Sequence, residues 1–500
     1  MSMKIRSLIA AFAISTLSTT AIAQDATTEE PAGPPAGEPA VFTSEDSVRI
    51  DGQTINYDVT AKETYFFNEK DAPDASIFSF SYVKKGVADP TTRPVMFVFN
   101  GGPGSASLWL HMGVIGPKIV DVATDGPQDD GAPPYPIIDN PHSMLDVADL
   151  VFIDPIGTGY SRVLEDGDAA DHWGVQEDAQ SVGNFIRRWL TENKRWGSPK
   201  YIAGESYGTT RAAALAEELN SGYNDVALNG IMLISAILDF DTFLEQVGLF
   251  PTHAAIGWYH NKVDRSAWNN DFDAFQAEAR TFATDTLAPA LLKGQGLPAE
   301  EKSAVISRYS DFTGLSEDYL NRANMSVDVG RFMKELLRDQ GLSVGRYDGR
   351  YTGVEEEGVG EYTWDDPSGY AMDSAFTGAM NDYMTRFLNI NIPRPYEVLS
   401  FGPGSKWKSV SGGGSGGPGF TNVVPGLGEA MRQNKDLRVL LAGGWFDQAT
   451  PLFSAELSLQ AYGVPQDRIV KAYYDAGHMM YLERSELEKL SEDMHDFVAQ

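Results

Sequence analysis

The 500-residue chain contains no cysteine. That excludes disulfide cross-links and lipid attachment at cysteine. Basic residues are also scarce, 39 Lys and Arg against 70 Asp and Glu, for a formal charge of −31. A surface that binds nucleic acid presents Lys and Arg to the phosphates, so this balance argues against such a partner. It suits a soluble protein kept apart by self-repulsion. Long apolar runs are missing too. The run from Leu8 to Leu17 is too short for the roughly 30 Å of hydrocarbon that a span must cross, and no second run is long enough. No internal repeat stands out. The glycine-rich run Ser411–Gly419 lacks the Lys-Ser or Lys-Thr that completes a P-loop, so it reads as a flexible loop rather than a phosphate cradle.

What is present is enough for a large core, since 42% of residues are apolar. The length suggests one large domain with insertions, or two domains. Lys4 and Arg6 precede the apolar run and Ala21-Ile22-Ala23 follows it. This pattern predicts a signal peptide over residues 1–23 and a soluble, exported product, periplasmic or extracellular. Residues 24–40 (QDATTEEPAGPPAGEPA) are too poor in large apolar side chains to offset ordering entropy and are expected to form a flexible linker.

From about Val41 the pattern becomes strand-like. Ser76–Val83 alternates polar and apolar residues, whereas Pro94–Phe99 and Asp149–Asp154 are continuous apolar runs ending in glycine-rich turns. The two continuous runs read as buried parallel strands. A helix is expected over Val175–Arg195, its apolar face made by Val175, Ala179, Val182, Phe185, Ile186 and Trp189. Lys194 and Arg195 would complement the dipole at its end. The strand Lys200–Gly204, an alanine-rich helix to about Asn220 and the strand Gly230–Ser235 follow. Strands alternating with helices indicate a parallel α/β sheet. The rhythm breaks near Asp239 and resumes with strands at Tyr396–Ser400, Leu437–Ala442 and Arg468–Tyr474. The expected organisation is a core over 41–239, an inserted and largely helical cap over 240–390, and the rest of the core over 391–500.

Chemistry enters at Gly204-Glu-Ser-Tyr-Gly208, a G-x-S-x-G motif placed between a strand and a helix. Such an elbow exposes the serine oxygen at the sheet's edge, with small residues on either side of the turn. Ser206 is therefore the candidate nucleophile, and a hydroxyl needs a base to act as one. The order Ser, Asp or Glu, His of α/β-hydrolases points to two late residues. His478 follows a strand in the loop Asp475-Ala-Gly-His, whereas His495 sits in an amphipathic helix and reads as a surface residue. Asp447 ends the preceding strand and would orient the imidazole; Asp475, in the same loop as His478, reads as a turn-former. The tetrahedral intermediate needs two backbone donors. One is the Tyr207 amide, and the other is expected from Asn100-Gly-Gly-Pro-Gly104. Glu205, beside the nucleophile, is at this level an electrostatic puzzle.

Asn100-Gly-Gly-Pro-Gly-Ser-Ala-Ser107, Phe152-Ile-Asp-Pro-Ile-Gly-Thr-Gly-Tyr-Ser161 and Gly204-Glu-Ser-Tyr-Gly208, with the late Asp447 and His478, resemble the serine carboxypeptidases. The likeness runs over about residues 60–485. It implies an α/β-hydrolase fold, a central and mostly parallel sheet flanked by helices, with an inserted helical cap. It implies Ser206, His478 and Asp447 as the triad, and the Gly102 and Tyr207 amides as the oxyanion hole. It further implies that Asn100 and Glu205 bind the substrate's C-terminal carboxylate, Glu205 sharing a proton with it, which favours acidic conditions. This chain has Val98 where the family has Trp, Val114 where it has a second glutamic acid, and Ser105 where eukaryotic members place a cysteine. The two valines thin the carboxylate-binding network. The resulting expectation is a secreted serine carboxypeptidase needing neither cofactor nor metal and acting on a peptide or acyl substrate. The alternatives are an esterase, amidase or acyltransferase on the same acyl-enzyme chemistry, and a non-catalytic binding module.

Overall fold

Six strands of the sheet lie parallel. The five inner ones are apolar and buried on both faces, with no polar face to turn to water, while the sixth is a partly exposed edge. The computed structural model describes residues 33–499 apart from 129–130, 223, 364 and 410–420. The expected signal peptide, the first part of the linker and the run Ser411–Gly419 lie outside the described residues. Gly33–Ala40 carries no helix or strand, yet the Pro34 carbonyl accepts a hydrogen bond from the Glu165 amide.

The sheet comprises β1 (Val41–Ile50), β2 (Gln53–Phe67), β3 (Pro73–Lys84), β4 (Val95–Phe99), β5 (Asp149–Asp154), β6 (Arg162–Val163), β7 (Lys200–Ser206), β8 (Gly230–Ala236), β9 (Arg438–Gly444) and β10 (Ile469–Tyr474). Its order is β1-β2-β3-β5-β4-β7-β8-β9-β10, with β6 paired to β3. The strands from β5 to β10 along this path are parallel, and β1, β2 and β3 form an antiparallel flank. Alternation along each strand feeds both faces of the sheet. Met96 and Val98 of β4 enter one apolar cluster, while Val95, Phe97 and Phe99 enter the other. Between β5, β4 and β7 the strand order reverses, and such a switch point opens a crevice at the carboxyl ends of the strands.

α1 (Val175–Glu192) and α2 (Tyr207–Leu219) cover one face. Every residue expected on the apolar face of α1 is buried. Arg195 departs from its expected place at the helix end. It turns inward, donating from Nη1 to Asp149 Oδ2 at 2.5 Å beside Arg93, whose Nε meets Asp149 Oδ1 at 2.8 Å.

Between Ala236 and Arg438 the chain leaves the sheet. α3 (Thr242–Tyr259), α4 (Phe272–Phe282) and α5 (Ala299–Thr313) build a third apolar cluster, which Phe446 and Phe453 of the sheet region join. A short hairpin, Leu342–Val344 with Thr352–Val354, follows. α6 (Asp373–Asp382) packs instead into the cluster under the sheet, through Phe376, Ala379 and Met380. Tyr396–Ser400 is not a sheet strand, contrary to expectation. Glu397 bridges Gly159 and Leu399 bridges Ser105, both in loops. Pro393 and Pro395 just before it have no amide for a ladder, so the segment crosses the loops at the carboxyl ends of the strands.

Candidate active site

Every residue singled out as chemical lies at, or just beyond, the carboxyl end of a parallel strand. β7 runs into α2 through Ser206, whose φ of 60° and ψ of −131° are sparsely populated by residues other than glycine. The turn is tight enough that a Cβ on Gly204 would lie 2.3 Å from the Gly208 carbonyl oxygen. Gly208 in turn sits against the end of β4, where a Cβ would be 3.0 Å from the Phe99 oxygen. These close approaches explain the glycines of the motif and hold the serine at the sheet's edge.

The turn after β4 faces the same point. Gly102 has φ 101°, a backbone that side chains other than glycine's rarely adopt. A Cβ on Gly101 would lie 2.4 Å from the Tyr207 nitrogen, so the two turns are in direct apposition. Tyr207 opens α2, and its amide is among those a helix leaves without an internal partner. Arg211, one turn further along α2, braces this arrangement. It donates to the Asn100 carbonyl at 2.5 Å and the Pro103 carbonyl at 3.2 Å, and pairs with Asp178 of α1 at 2.5 Å. Burial raises the Asp178 carboxyl above its usual range against the pull of Arg211. Arg211, the lone cation of α2 and placed just before its alanine run, was the visible sign of this role.

His478 and Asp447 are joined, with Nδ1 2.8 Å from Asp447 Oδ2. Thr450 completes the pair: its hydroxyl donates to Asp447 Oδ2 at 2.7 Å and lies 3.1 Å from His478 Nδ1. Asp447 Oδ1 accepts the amides of Ala449 and Thr450, at 2.8 and 3.0 Å. Burial opposes charge on His478, but the Asp447 carboxylate outweighs it, with help from Glu205, and the imidazole pKa is raised. The imidazole's hydrogen-bond partners among the described residues, Asp447 and Thr450, are both at Nδ1, and none joins His478 to Ser206. Contacts of this kind commonly tighten only around substrate. Asp475 is exposed and offers its carbonyl to Arg350. His495 is half-buried and bonds Asp146 at 2.9 Å.

Two further supports were not legible in the sequence. Ser235, at a bulge ending β8, has φ 51° and donates its hydroxyl to the His478 carbonyl at 2.6 Å. Gly345–Arg350, from the inserted region, crosses both late loops. The His478 amide donates to the Tyr347 carbonyl at 2.6 Å, and the Gln448 amide to the Arg346 carbonyl at 3.1 Å. Gly477 donates to Asp348 Oδ2 at 3.0 Å, and Gly349 to the Phe446 carbonyl at 2.9 Å. The loops bearing Asp447 and His478 are thus tied to one strap.

Glu205 is 2% exposed. Its Oε2 accepts from Asn100 Nδ2, and both its oxygens lie 3.0 Å from the Tyr481 hydroxyl. The Leu110 amide donates to Asn100 Oδ1 at 3.2 Å, which turns the NH2 of that amide toward Glu205. Burial dominates and pushes the Glu205 carboxyl up to about 7. His478, Tyr481 and Asn100 pull it down, and the Asp447 charge adds to the rise. Val98 and Val114 are buried and bring no side-chain donor to this group. A groove near Glu45, Asn56 and Lys85 and another near Glu278, Phe282 and Arg308 contain none of these residues.

Comparison with known proteins gives a consistent outcome. The sequence model of the family described as Peptidase_S10, serine carboxypeptidase, matches residues 56–334. Serine carboxypeptidase-like 16 of Arabidopsis thaliana is 29% identical over 172 residues, covering 32% of this chain and 37% of that protein. Serine carboxypeptidase S10 family member 1 of Dictyostelium discoideum is 26% identical over 180 residues, covering 35% and 39%. The chain thus spans well under two thirds of the length of these curated relatives. Among solved structures, Kex1(delta)p, a prohormone-processing carboxypeptidase from Saccharomyces cerevisiae, superposes with a TM-score of 0.53 at 14% identity. That superposition covers 88% of this chain and 91% of that one. At this identity the superposition speaks for the fold, an α/β-hydrolase sheet with its helices.

Proposed function

Because the chain belongs to the serine carboxypeptidase family, we propose that it hydrolyses C-terminal peptide bonds through an acyl-enzyme on Ser206. The Ser206 oxygen attacks the scissile carbonyl carbon while its proton passes to His478, and the carbonyl electron pair moves to oxygen. The Gly102 and Tyr207 amides receive that oxyanion. Collapse breaks the C–N bond, and the amine leaves with the proton from His478. Water then repeats the sequence on the ester and releases the acid. Asp447 holds the imidazole tautomer and stabilises the imidazolium.

The observation that carries this reading is Glu205, buried beside Ser206 with its carboxyl at about 7. A carboxyl group neutral near pH 7 donates a hydrogen bond to a substrate's terminal carboxylate, whereas an ionised one repels it. Asn100 supports the same subsite. Val98 and Val114 favour a second reading, in which the acyl-enzyme serves an esterase, amidase or acyltransferase, because apolar side chains offer a carboxylate nothing. The N-terminal Lys4, Arg6 and apolar run support export to the periplasm or beyond. Among the described residues, no helix is long and apolar enough to cross a membrane.

The test compares kcat/KM for an N-blocked dipeptide with those for its C-terminal amide and ester. Cleavage of the free acid below neutrality supports the carboxypeptidase reading. Turnover of amide and ester with the free acid untouched at every pH overturns it in favour of the second.

A further inference from the structure

The residue nearest in sequence to His478 that reaches Glu205 is Tyr481, in the short turn Met480–Leu482. Its side chain is fixed on every side. It is 1% exposed, and its ring packs near Phe376 with centroids 6.4 Å apart. It also fills the space over Gly113, where a Cβ would lie 2.4 Å from the Tyr481 ring. The neighbouring side chain, Val114, has no polar atom. The hydroxyl lies 3.0 Å from each Glu205 oxygen, so it bisects the carboxyl group rather than binding one end.

We propose that Tyr481 is the positioning residue that turns Glu205 toward the substrate's terminal carboxylate and sets the pH range in which that carboxylate is accepted. This rests on the reading of Glu205 as the carboxylate receptor. Burial and the Glu205 charge hold the Tyr481 phenol well above its ordinary pKa, so it keeps its proton and acts as a donor. A donor favours the charged carboxylate over the neutral acid. The other groups facing Glu205 are Asn100, a second donor, with His478, which lowers its proton affinity, and Asp447, which raises it. Tyr481 is thus the one of these four that is neither a triad member nor a contact proposed for substrate.

The direction of its effect is opposite to that of ordinary damage. Tyr481→Phe keeps the ring over Gly113 and removes only the hydroxyl. Glu205 then holds its proton to higher pH, and acceptance of free-carboxylate substrates extends upward rather than shrinking. Loss of a hydrogen bond to a charged group corresponds to a shift of about one to two pH units.

The experiment measures kcat/KM against pH for wild type and Tyr481→Phe on an N-blocked dipeptide. The C-terminal ester of that dipeptide is the reference, because it has no carboxylate to receive, and thermal melting checks the fold. The expected result is an alkaline limb on the free acid that moves up by about one to two pH units in the variant. A limb present in wild type and unmoved in a folded variant overturns the role of Tyr481 alone. No alkaline limb in wild type beyond that of the ester overturns the Glu205 reading, and this one with it. Should Tyr481→Phe fail to fold, a ring-fluorinated tyrosine at 481 keeps the shape and donates more strongly. It should move the limb down, and an unmoved limb is again decisive against the proposal.

Discussion

Glu205→Gln tests the central electrostatic argument, because the amide is a permanent copy of the protonated acid. Its oxygen still accepts from Asn100 and Tyr481, and its NH2 points where the acid proton would be. With the carboxyl at about 7, roughly nine tenths of wild type carries the proton at pH 6, about one tenth at pH 8 and about one hundredth at pH 9. On a free-acid dipeptide, wild-type kcat/KM should therefore fall about tenfold from pH 6 to 8 and about tenfold again by pH 9. The Gln variant should lose this decline, so its activity relative to wild type rises on the order of 100-fold from pH 6 to 9. Stability gives an independent reading. A carboxyl raised from about 4.3 unfolded to about 7 folded contributes stability that is full below the unfolded value and lost as pH rises through 7. At about 1.4 kcal/mol per pH unit, the loss by pH 8 is roughly 3–4 kcal/mol. Urea unfolding should accordingly find the Gln variant more stable than wild type at pH 8 and not at pH 4. A Gln variant whose activity falls with pH in parallel with wild type refutes the assignment, since the titrating group would then lie elsewhere.

Other perturbations address the rest of the site. Ser206→Ala should lower kcat on peptide, amide and ester alike by on the order of a millionfold, and an unchanged rate on any of them removes the nucleophile from Ser206. Asp447→Asn should cost about 10⁴ in kcat through the wrong tautomer. Thr450→Val, which takes away only a hydroxyl donor to Asp447, should cost about 10- to 100-fold. Equal effects of the two would contradict the unequal roles drawn from the geometry. Arg211→Met leaves Asp178 buried without its partner and should destabilise by about 3–5 kcal/mol in denaturant unfolding. Adding Asp178→Leu should restore much of that stability but not the activity, because the braces on the Asn100 and Pro103 carbonyls are gone. Recovery of both would make Arg211 a purely structural residue.

What the chain states by itself is what short segments and their order can state. Buried strands are legible because a continuous apolar run such as Val95–Phe99 has no other environment to go to. The elbow at Ser206 is legible because only glycines permit backbones to approach as Gly204 and Gly208 do. His478 and Asp447 are candidates from strand ends and chain order, and the fold brings them within a hydrogen bond of each other. Where the local pattern depends on distant company, the sequence says less. Tyr396–Ser400 reads like a strand, but its backbone hydrogen-bond partners are Gly159, Ala106 and Gly104, all in loops. Arg195 has the composition of a helix-end cation and is drawn inward by Asp149, 46 residues away. Thr450 lies three residues beyond Asp447, at the spacing of a capping turn, and was open to inspection in principle. Tyr481, Ser235 and the Gly345–Arg350 strap were not, because each acts through residues that only the folded chain brings near. The answer to why an acid stands beside Ser206 belongs to that second class. Glu205 is written in the sequence, but the burial that raises its proton affinity, and the phenol and amide that hold it, arise from tertiary packing. A group's proton affinity is set by its surroundings in space, and those are decided when β4, β7 and the turn after His478 meet.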